Sequence, residues 1–291
     1  MSDVTPLDSR WIAANPLPVH GGDTDKNSRG RVVAIGGSAR APGALRLTAE
    51  AALRVGAGKV QIATTSAAAM LLGLLVPEAG VISLPEKDGE IAPLEHVLKD
   101  ALSNADALVI GPGMASPDAA ARMLTCSAGL IGKNTVILLD AAAIAAAHEV
   151  QGVMSREAGI LVMTPHHGEM AALTGQAVEK IAADPAGAAV AAARTFNAIV
   201  ALKGTTTIIA APDGQILEYG GGGVGMATGG SGDVLAGVVA GLLARGAEPL
   251  AATAWGVWLH GHSGRRMAAH HGPIGFLARE LLPEIPLLLP Q

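Results

Sequence analysis

Cysteine is almost missing from this 291-residue chain: Cys126 is the one thiol, so neither a disulfide framework nor a thiolate metal site can be built within it. Aromatic residues make up 2% of the sequence and charged residues 15%. So little charge beside 50% hydrophobic residues excludes a disordered chain. The charges sum to -5, so the basic balance by which nucleic-acid binders hold phosphate backbones is lacking. No secretory signal is visible either, because Met1 to Pro18 carries Asp3, Asp8 and Arg10 and no apolar stretch. Long hydrophobic runs are absent too, although a mean hydropathy of +0.41 invites a membrane reading. The longest uncharged stretch, Val60 to Pro77, contains Gln61, Thr64, Thr65 and Ser66 and ends at a proline; it reads as strand, turn and helix rather than as a span of about 20 apolar residues. The expectation is a cytoplasmic protein with one large domain and no nucleic-acid or membrane partner.

Alanine, by contrast, supplies about a fifth of the residues, and there are 38 glycines. The hydropathy therefore comes largely from small side chains, which favour close packing of helices on a sheet. Residues 1–30 are polar and rich in Pro and Gly and read as an irregular leader packed on the domain, which is expected to occupy residues 31–291. From Arg31 onward, short β-rich runs alternate with Ala/Leu-rich segments. Strands are predicted at Arg31 to Gly36, Lys59 to Thr64, Gly80 to Leu84, Asp106 to Gly111, Thr135 to Asp140, Gly159 to Thr164 and Ile199 to Lys203. Helix-length stretches such as Gly43 to Gly56 and Pro117 to Ile131 separate them, which argues for a mostly parallel sheet covered on both faces. Thr206 to Ala211 and Gln215 to Tyr219 flank the turn residues Pro212, Asp213 and Gly214 and predict an edge β-hairpin. Helices are then expected at Asp233 to Arg245, Pro249 to His271 and Ile274 to Leu282.

The most informative segment is Gly225-Met-Ala-Thr-Gly-Gly-Ser-Gly-Asp233, which opens a helix. Glycines let the backbone approach a ligand, and the N–H groups and positive dipole end of the helix suit an anion such as phosphate, with Gly230, Ser231 and Gly232 as the anion hole. Asp233 is either an ordinary carboxylate at a helix start or a group placed beside that anion. No Walker A sequence occurs, and the glycines lie too late in the chain for a dinucleotide fingerprint. A kinase-like site on a hydroxyl would need these parts: N–H groups for the phosphoryl oxygens and a carboxylate for the proton.

Other strand ends carry further candidates. Gly36-Gly-Ser38, leading to Pro42-Gly-Ala44, and Gly111-Pro-Gly113 are tight turns or places of close backbone approach. Thr164-Pro-His-His-Gly-Glu169 puts His166, His167 and Glu169 where α/β proteins keep ligands. Lys203-Gly-Thr-Thr-Thr207 offers a cation for a polyphosphate and several hydroxyls. Asp140 either binds substrate or caps the Ala-rich segment after it. His260, His262, His270 and His271 lack the spacing of a zinc enzyme.

Together these segments resemble the ADP-dependent NAD(P)H-hydrate dehydratases of the ribokinase-like superfamily over nearly the whole chain from about Lys26. The match rests on the Gly225 to Asp233 run with Val234 and Leu235, on Gly36 to Ser38 with Gly43, Ala44 and Glu50 to Leu53, on Ile110 to Gly113, on Thr164 to His166 with Gly168 and Glu169, and on Val200 to Gly204. The resemblance implies a ribokinase-like three-layer α/β sandwich and removal of water from the 6-hydroxy form of NADH or NADPH at the expense of ADP or ATP. It implies Asp233 as the catalytic residue; Ala44, Gly113, His166 and Asp233 as contacts of the hydrated dinucleotide; and Lys203, Gly204, Thr205, Thr206, Thr207 and Gly232 as contacts of the nucleotide. Mg²⁺ is expected on the phosphates, with no direct protein ligand. A homotetramer and a separate epimerase acting on the same substrate are the implied partners, since about 30 residues before the first strand are too few for an epimerase domain. The chain departs from the family pattern at Ala142, where the family has a second Asp, at His167, which replaces Pro, and at Thr205 and Thr206. A small-alcohol kinase acting on hydroxymethylpyrimidine or hydroxyethylthiazole, and a catalytically silent nucleotide sensor, are the competing readings.

Overall fold

A computed structural model describes residues 4–19, 21, 24–149 and 161–290. Ten strands form one sheet: β1 (Val4–Pro6), β2 (Arg31–Ile35), β3 (Lys59–Thr65), β4 (Gly80–Leu84), β7 (Ala107–Ile110), β8 (Val136–Leu139), β9 (Leu161–Met163), β10 (Ala198–Leu202), β11 (Thr207–Ala210) and β12 (Ile216–Tyr219). A two-residue ladder, β5 (Glu86–Lys87) with β6 (Glu90–Ile91), stands apart. The spatial order is β1-β12-β11-β10-β9-β8-β7-β2-β3-β4, and β11 alone of the ten runs against its neighbours. From β2 the chain winds outward through β3 and β4, then returns to β7 beside β2 and winds the other way. That reversal opens a crevice between the carboxyl ends of β2 and β7, where doubly wound sheets bind ligands.

The pleat divides the strands' side chains between two cores. Val32, Ala34, Ala107 and Val109 face α2 (Ala44–Arg54), α10 (Ser231–Ala244) and α11 (Pro249–His271); Val33, Ile35, Leu108 and Ile110 face α4 (Glu95–Ser103), α5 (Pro117–Ala128) and α9 (Pro185–Phe196). Small residues set the spacing. A Cβ on Gly237 of α10 would lie 2.1 Å from the Thr48 carbonyl oxygen of α2, and one on Gly241 would lie 2.3 Å from Val55 Cγ2, so the two glycines hold α10 against α2.

The predicted strands are found within one or two residues of their expected ends, and α3 (Ser66–Leu75) follows β3 without an intervening turn. Of the strand predicted at Gly159 to Thr164, Gly159 and Ile160 lie outside the described residues. The hairpin β11–β12 turns at Gly214, whose φ of 96° suits glycine. It is not the outermost element, because Val4–Pro6 of the leader adds a parallel strand beyond it. The leader is thus less irregular than its composition indicates: Asp8 accepts from the Arg10 and Trp11 N–H groups and caps α1 (Ser9–Ala14). Ile274 to Leu282 is also corrected. Gly275 is left-handed (φ 102°), and the chain forms a 3₁₀ turn at Ala278–Glu284 instead of an α-helix.

Candidate active site

The sequence Gly229-Gly230-Ser231-Gly232-Asp233 folds as a helix start because Gly230 adopts φ 91° as the residue preceding α10. A Cβ there would meet Leu47 Cδ1 at 2.5 Å and push that side chain aside, but it is the left-handed backbone that calls for glycine. No side chain caps the helix, and of its first-turn N–H groups those of Gly232 and Asp233 are left for a ligand. The Ser231 N–H is spent on the Thr228 carbonyl (3.2 Å), whereas its hydroxyl lies 3.0 Å from His260 Nε2 of α11. Thr48 Oγ1 donates to the Asp233 carbonyl at 3.1 Å and ties the same turn to α2.

Beside this turn stands a cluster of charges from three strand ends. Lys203, just past β10, places its ammonium 3.0 Å from Asp140 Oδ1 and 3.7 Å from Glu169 Oε2. Thr164, after β9, donates its hydroxyl to Asp140 Oδ1 at 2.8 Å. Asp140 is therefore not a cap: α6 (Ala142–Ala146) has no side-chain cap, and the buried carboxylate is held by Lys203 and Thr164. A Cβ on Gly232 would come within 3.4 Å of Lys203 Nζ and 3.9 Å of Asp140 Oδ2, which puts the helix start against the cluster. Burial, and next the Asp140 carboxylate, push the Asp233 carboxyl up to about 7, although the Lys203 ammonium pulls the other way. Burial alone would lower the Lys203 ammonium; Asp140 and Glu169 outweigh it and hold that group above its ordinary value.

His166 precedes α7 (His167–Thr174) and caps it reciprocally with Glu169: the Glu169 N–H donates to His166 Nδ1 at 3.1 Å and the His166 N–H to Glu169 Oε2 at 2.8 Å. His167 lies under the next segment, where a Cβ on Gly204 would sit 3.3 Å from its Nε2. Gly204 and Thr205 are exposed, Thr206 is half-buried, and Thr207 opens β11. Across the crevice, Gly36, Gly37 and Ser38 meet Gly111 to Gly113. The Gly37 N–H donates to the Pro112 carbonyl (2.8 Å) and the Ser38 hydroxyl to the Gly113 carbonyl (2.8 Å). Gly113 (φ 72°) leaves no room for a Cβ, which would meet Ala44 Cβ at 2.8 Å, so both segments are places of close backbone approach as well as turns. Ala142 opens α6, beside Asp140.

The helix start with Asp233 and the group Lys203, Asp140 and Glu169 thus come together. Gly113 and Ala44 form a second group at the β2/β7 crevice. His260 carries no local sequence signal, because its neighbours in sequence make no metal motif and its partner, Ser231, is 29 positions away in the chain. The roles of Glu169 and Thr164 in orienting Lys203 and Asp140 were also invisible, since those contacts cross from strand end to strand end.

Residues 32–287 match the family described as NAD(P)H-hydrate dehydratase. The chain belongs to that family. Among curated relatives, the ADP-dependent (S)-NAD(P)H-hydrate dehydratase of Xanthomonas campestris pv. campestris is 44% identical over 279 residues, covering 96% of this chain and 93% of the relative. The bifunctional NAD(P)H-hydrate repair enzyme Nnr of Moorella thermoacetica is 37% identical over 285 residues, 97% of this chain but 53% of that longer protein. The solved ADP/ATP-dependent NAD(P)H-hydrate dehydratase of Bacillus subtilis, co-crystallised with ATP/Mg²⁺, superposes with a TM-score of 0.82 at 27% identity over 99% of this chain and 98% of the other. Ribokinase of Thermotoga maritima shares the fold alone, at 16% identity and a TM-score of 0.55. This member of the dehydratase family accordingly has the ribokinase-like α/β sandwich. No helix among the described residues is long and apolar enough to cross a membrane.

Proposed function

We propose that the chain returns the 6-hydroxy (hydrated) form of NADH or NADPH to the intact dihydronicotinamide, using ADP, or ATP, as phosphoryl donor. The observation that carries this reading is Asp233: a carboxyl poised near 7, two residues into an uncapped helix start and against a lysine–carboxylate cluster. The Asp233 carboxylate takes the proton of the C6 hydroxyl while that oxygen attacks the terminal phosphorus, and the bridging P–O bond breaks to release AMP or ADP. The C6–O bond then breaks with its electron pair leaving on phosphate, assisted by the ring nitrogen, and loss of a C5 proton restores the double bond. The N–H groups of Gly230 and Gly232 and the Ser231 hydroxyl stabilise the transferring phosphoryl. Lys203 to Thr207 carry the nucleotide, with Gly232 against its AMP portion, and Ala44, Gly113 and His166 hold the hydrated dinucleotide.

Among the described residues no group of three His, Cys, Asp or Glu could hold a metal ion by itself. Mg²⁺ would be carried on the nucleotide phosphates, beside the Lys203, Asp140 and Glu169 cluster and without a direct protein ligand. When bound, Mg²⁺ neutralises charge developing on the phosphates. A separate epimerase would supply the reactive epimer of the hydrate, as the bifunctional relatives' name for a repair enzyme with two activities supports. The protein works in the cytoplasm as a homotetramer; the uncharged helix α3 supports assembly with further copies of the chain, because it turns Met70, Leu71, Leu74 and Leu75 outward, each more than half exposed. Sedimentation of the purified protein gives a four-chain mass on this reading and a one-chain mass against it.

Chemically prepared hydrated NADH, incubated with the protein, Mg²⁺ and ADP or ATP, should regain the absorbance of the dihydronicotinamide ring with one phosphate released per ring restored. Phosphorylation of hydroxymethylpyrimidine or hydroxyethylthiazole with the hydrate untouched would install the small-alcohol kinase instead, and nucleotide binding without turnover of either substrate would install the sensor.

A further inference from the structure

Ser231 has one backbone donor and one side-chain donor, and the first is already committed to the Thr228 carbonyl. Whatever Ser231 offers an anion at the helix start must therefore come from its hydroxyl. That hydroxyl is almost fully buried and lies 3.0 Å from His260 Nε2, on the neighbouring helix α11. Burial holds the imidazole down at about 4; a hydrogen bond to the Ser231 backbone opposes this and the Lys203 ammonium adds to it, so His260 is neutral around pH 7. A neutral imidazole carries one ring hydrogen, and its position decides what Ser231 can do. With the hydrogen on Nδ1, Nε2 accepts the serine O–H and the hydroxyl is consumed. With it on Nε2, the ring donates into the serine oxygen, and the serine hydrogen is free to swing toward the helix start.

We propose that His260 is a positioning residue for phosphoryl transfer: its Nε2–H donates to Ser231 Oγ and turns the Ser231 hydroxyl toward the transferring phosphoryl group. This inference rests on the anion-hole reading of the α10 start given above. An anion held at Lys203 and the helix start favours the same arrangement, because its negative charge stabilises one more donor hydrogen pointing at it. His260 itself touches no reacting atom.

A double-mutant cycle tests the assignment. Ser231→Ala and His260→Asn should each lower kcat on the order of 100-fold, the low end of what a lost donor to a transition-state anion costs, while KM for the hydrate stays within about twofold. The asparagine amide falls near the Nδ1 position and cannot reach Ser231. Glutamine places its amide near the Nε2 position, so His260→Gln should recover most of the lost kcat. The double variant Ser231→Ala/His260→Asn should be no slower than the slower single variant. Losses that multiply in the double variant, or a His260→Asn protein with unchanged kcat, would overturn the proposal, as would equal losses in His260→Gln and His260→Asn at unchanged thermal midpoints. If the unmodified protein does not turn over the hydrate, the functional reading fails separately. The same cycle is then read on ADP affinity by titration calorimetry, where non-additive losses support the His260–Ser231 coupling and additive ones contradict it.

Discussion

The ammonium of Lys203 lies 3.0 Å from Asp140 Oδ1, and both groups act on the carboxyl of Asp233 with opposite sign. Asp140 raises that carboxyl and Lys203 lowers it. The acid limb of kcat/KM should accordingly fall near pH 7 in the unmodified enzyme, since the proton-accepting group works only when ionised. Asp140→Asn removes the neighbouring negative charge and should move the limb to lower pH; Lys203→Met removes the positive charge and should move it to higher pH. pH–rate profiles of the three proteins check this. Shifts in the same direction, or none, would detach the limb from Asp233.

The same residue has a consequence for stability. The folded chain holds the Asp233 proton up to about pH 7, whereas an unfolded Asp releases it near its ordinary value of 3.8. Between those values the native state binds more protons than the unfolded state, so stability is fully present below about pH 4, falls as pH rises through about 4 to 7, and carries the full cost of the buried charge above that. Asp233→Asn, an uncharged isostere, should have a higher thermal midpoint than the unmodified protein at pH 8, and the difference should close below about pH 4, the unfolded value. In the activity assay the same variant should lose on the order of 100-fold or more. A midpoint difference that does not change with pH, or near-normal turnover, would speak against the assignment of the base.

Much of this architecture is legible in the sequence because a parallel sheet covered on both faces writes itself as apolar runs such as Ala107–Ile110, and because glycine clusters such as Gly229 to Gly232 mark the backbone that must stay bare. The remainder is decided by contacts between distant segments. Val4–Pro6 is too short and too proline-bound to read as a strand, and only the free side of β12 makes it one. Asp140 and Lys203 are 63 positions apart, so nothing local says that the lysine is already paired or that the aspartate is not a cap. His260 looked like one of several histidines on a long helix; its meaning comes from Ser231, 29 positions away.

The glycines inside α10 make a separate, purely structural prediction. Gly237 lets the helix approach the Thr48 carbonyl of α2 to a distance that no Cβ could share. Gly237→Val should lower stability by about 1–3 kcal/mol or more through overpacking, read as a lower midpoint in thermal or denaturant unfolding. A gain in stability, as helix propensity alone would give, would mean that α2 and α10 are not packed this closely.

If the C6 hydroxyl is phosphorylated before it leaves, its oxygen departs with the phosphate. Hydrate carrying ¹⁸O at C6, turned over promptly with ADP in unlabelled water, should deliver one labelled oxygen into each inorganic phosphate released, as read by mass spectrometry. Unlabelled phosphate, with the label in solvent water, would contradict the account, because the nucleotide would then be cleaved without ever being joined to the substrate's oxygen.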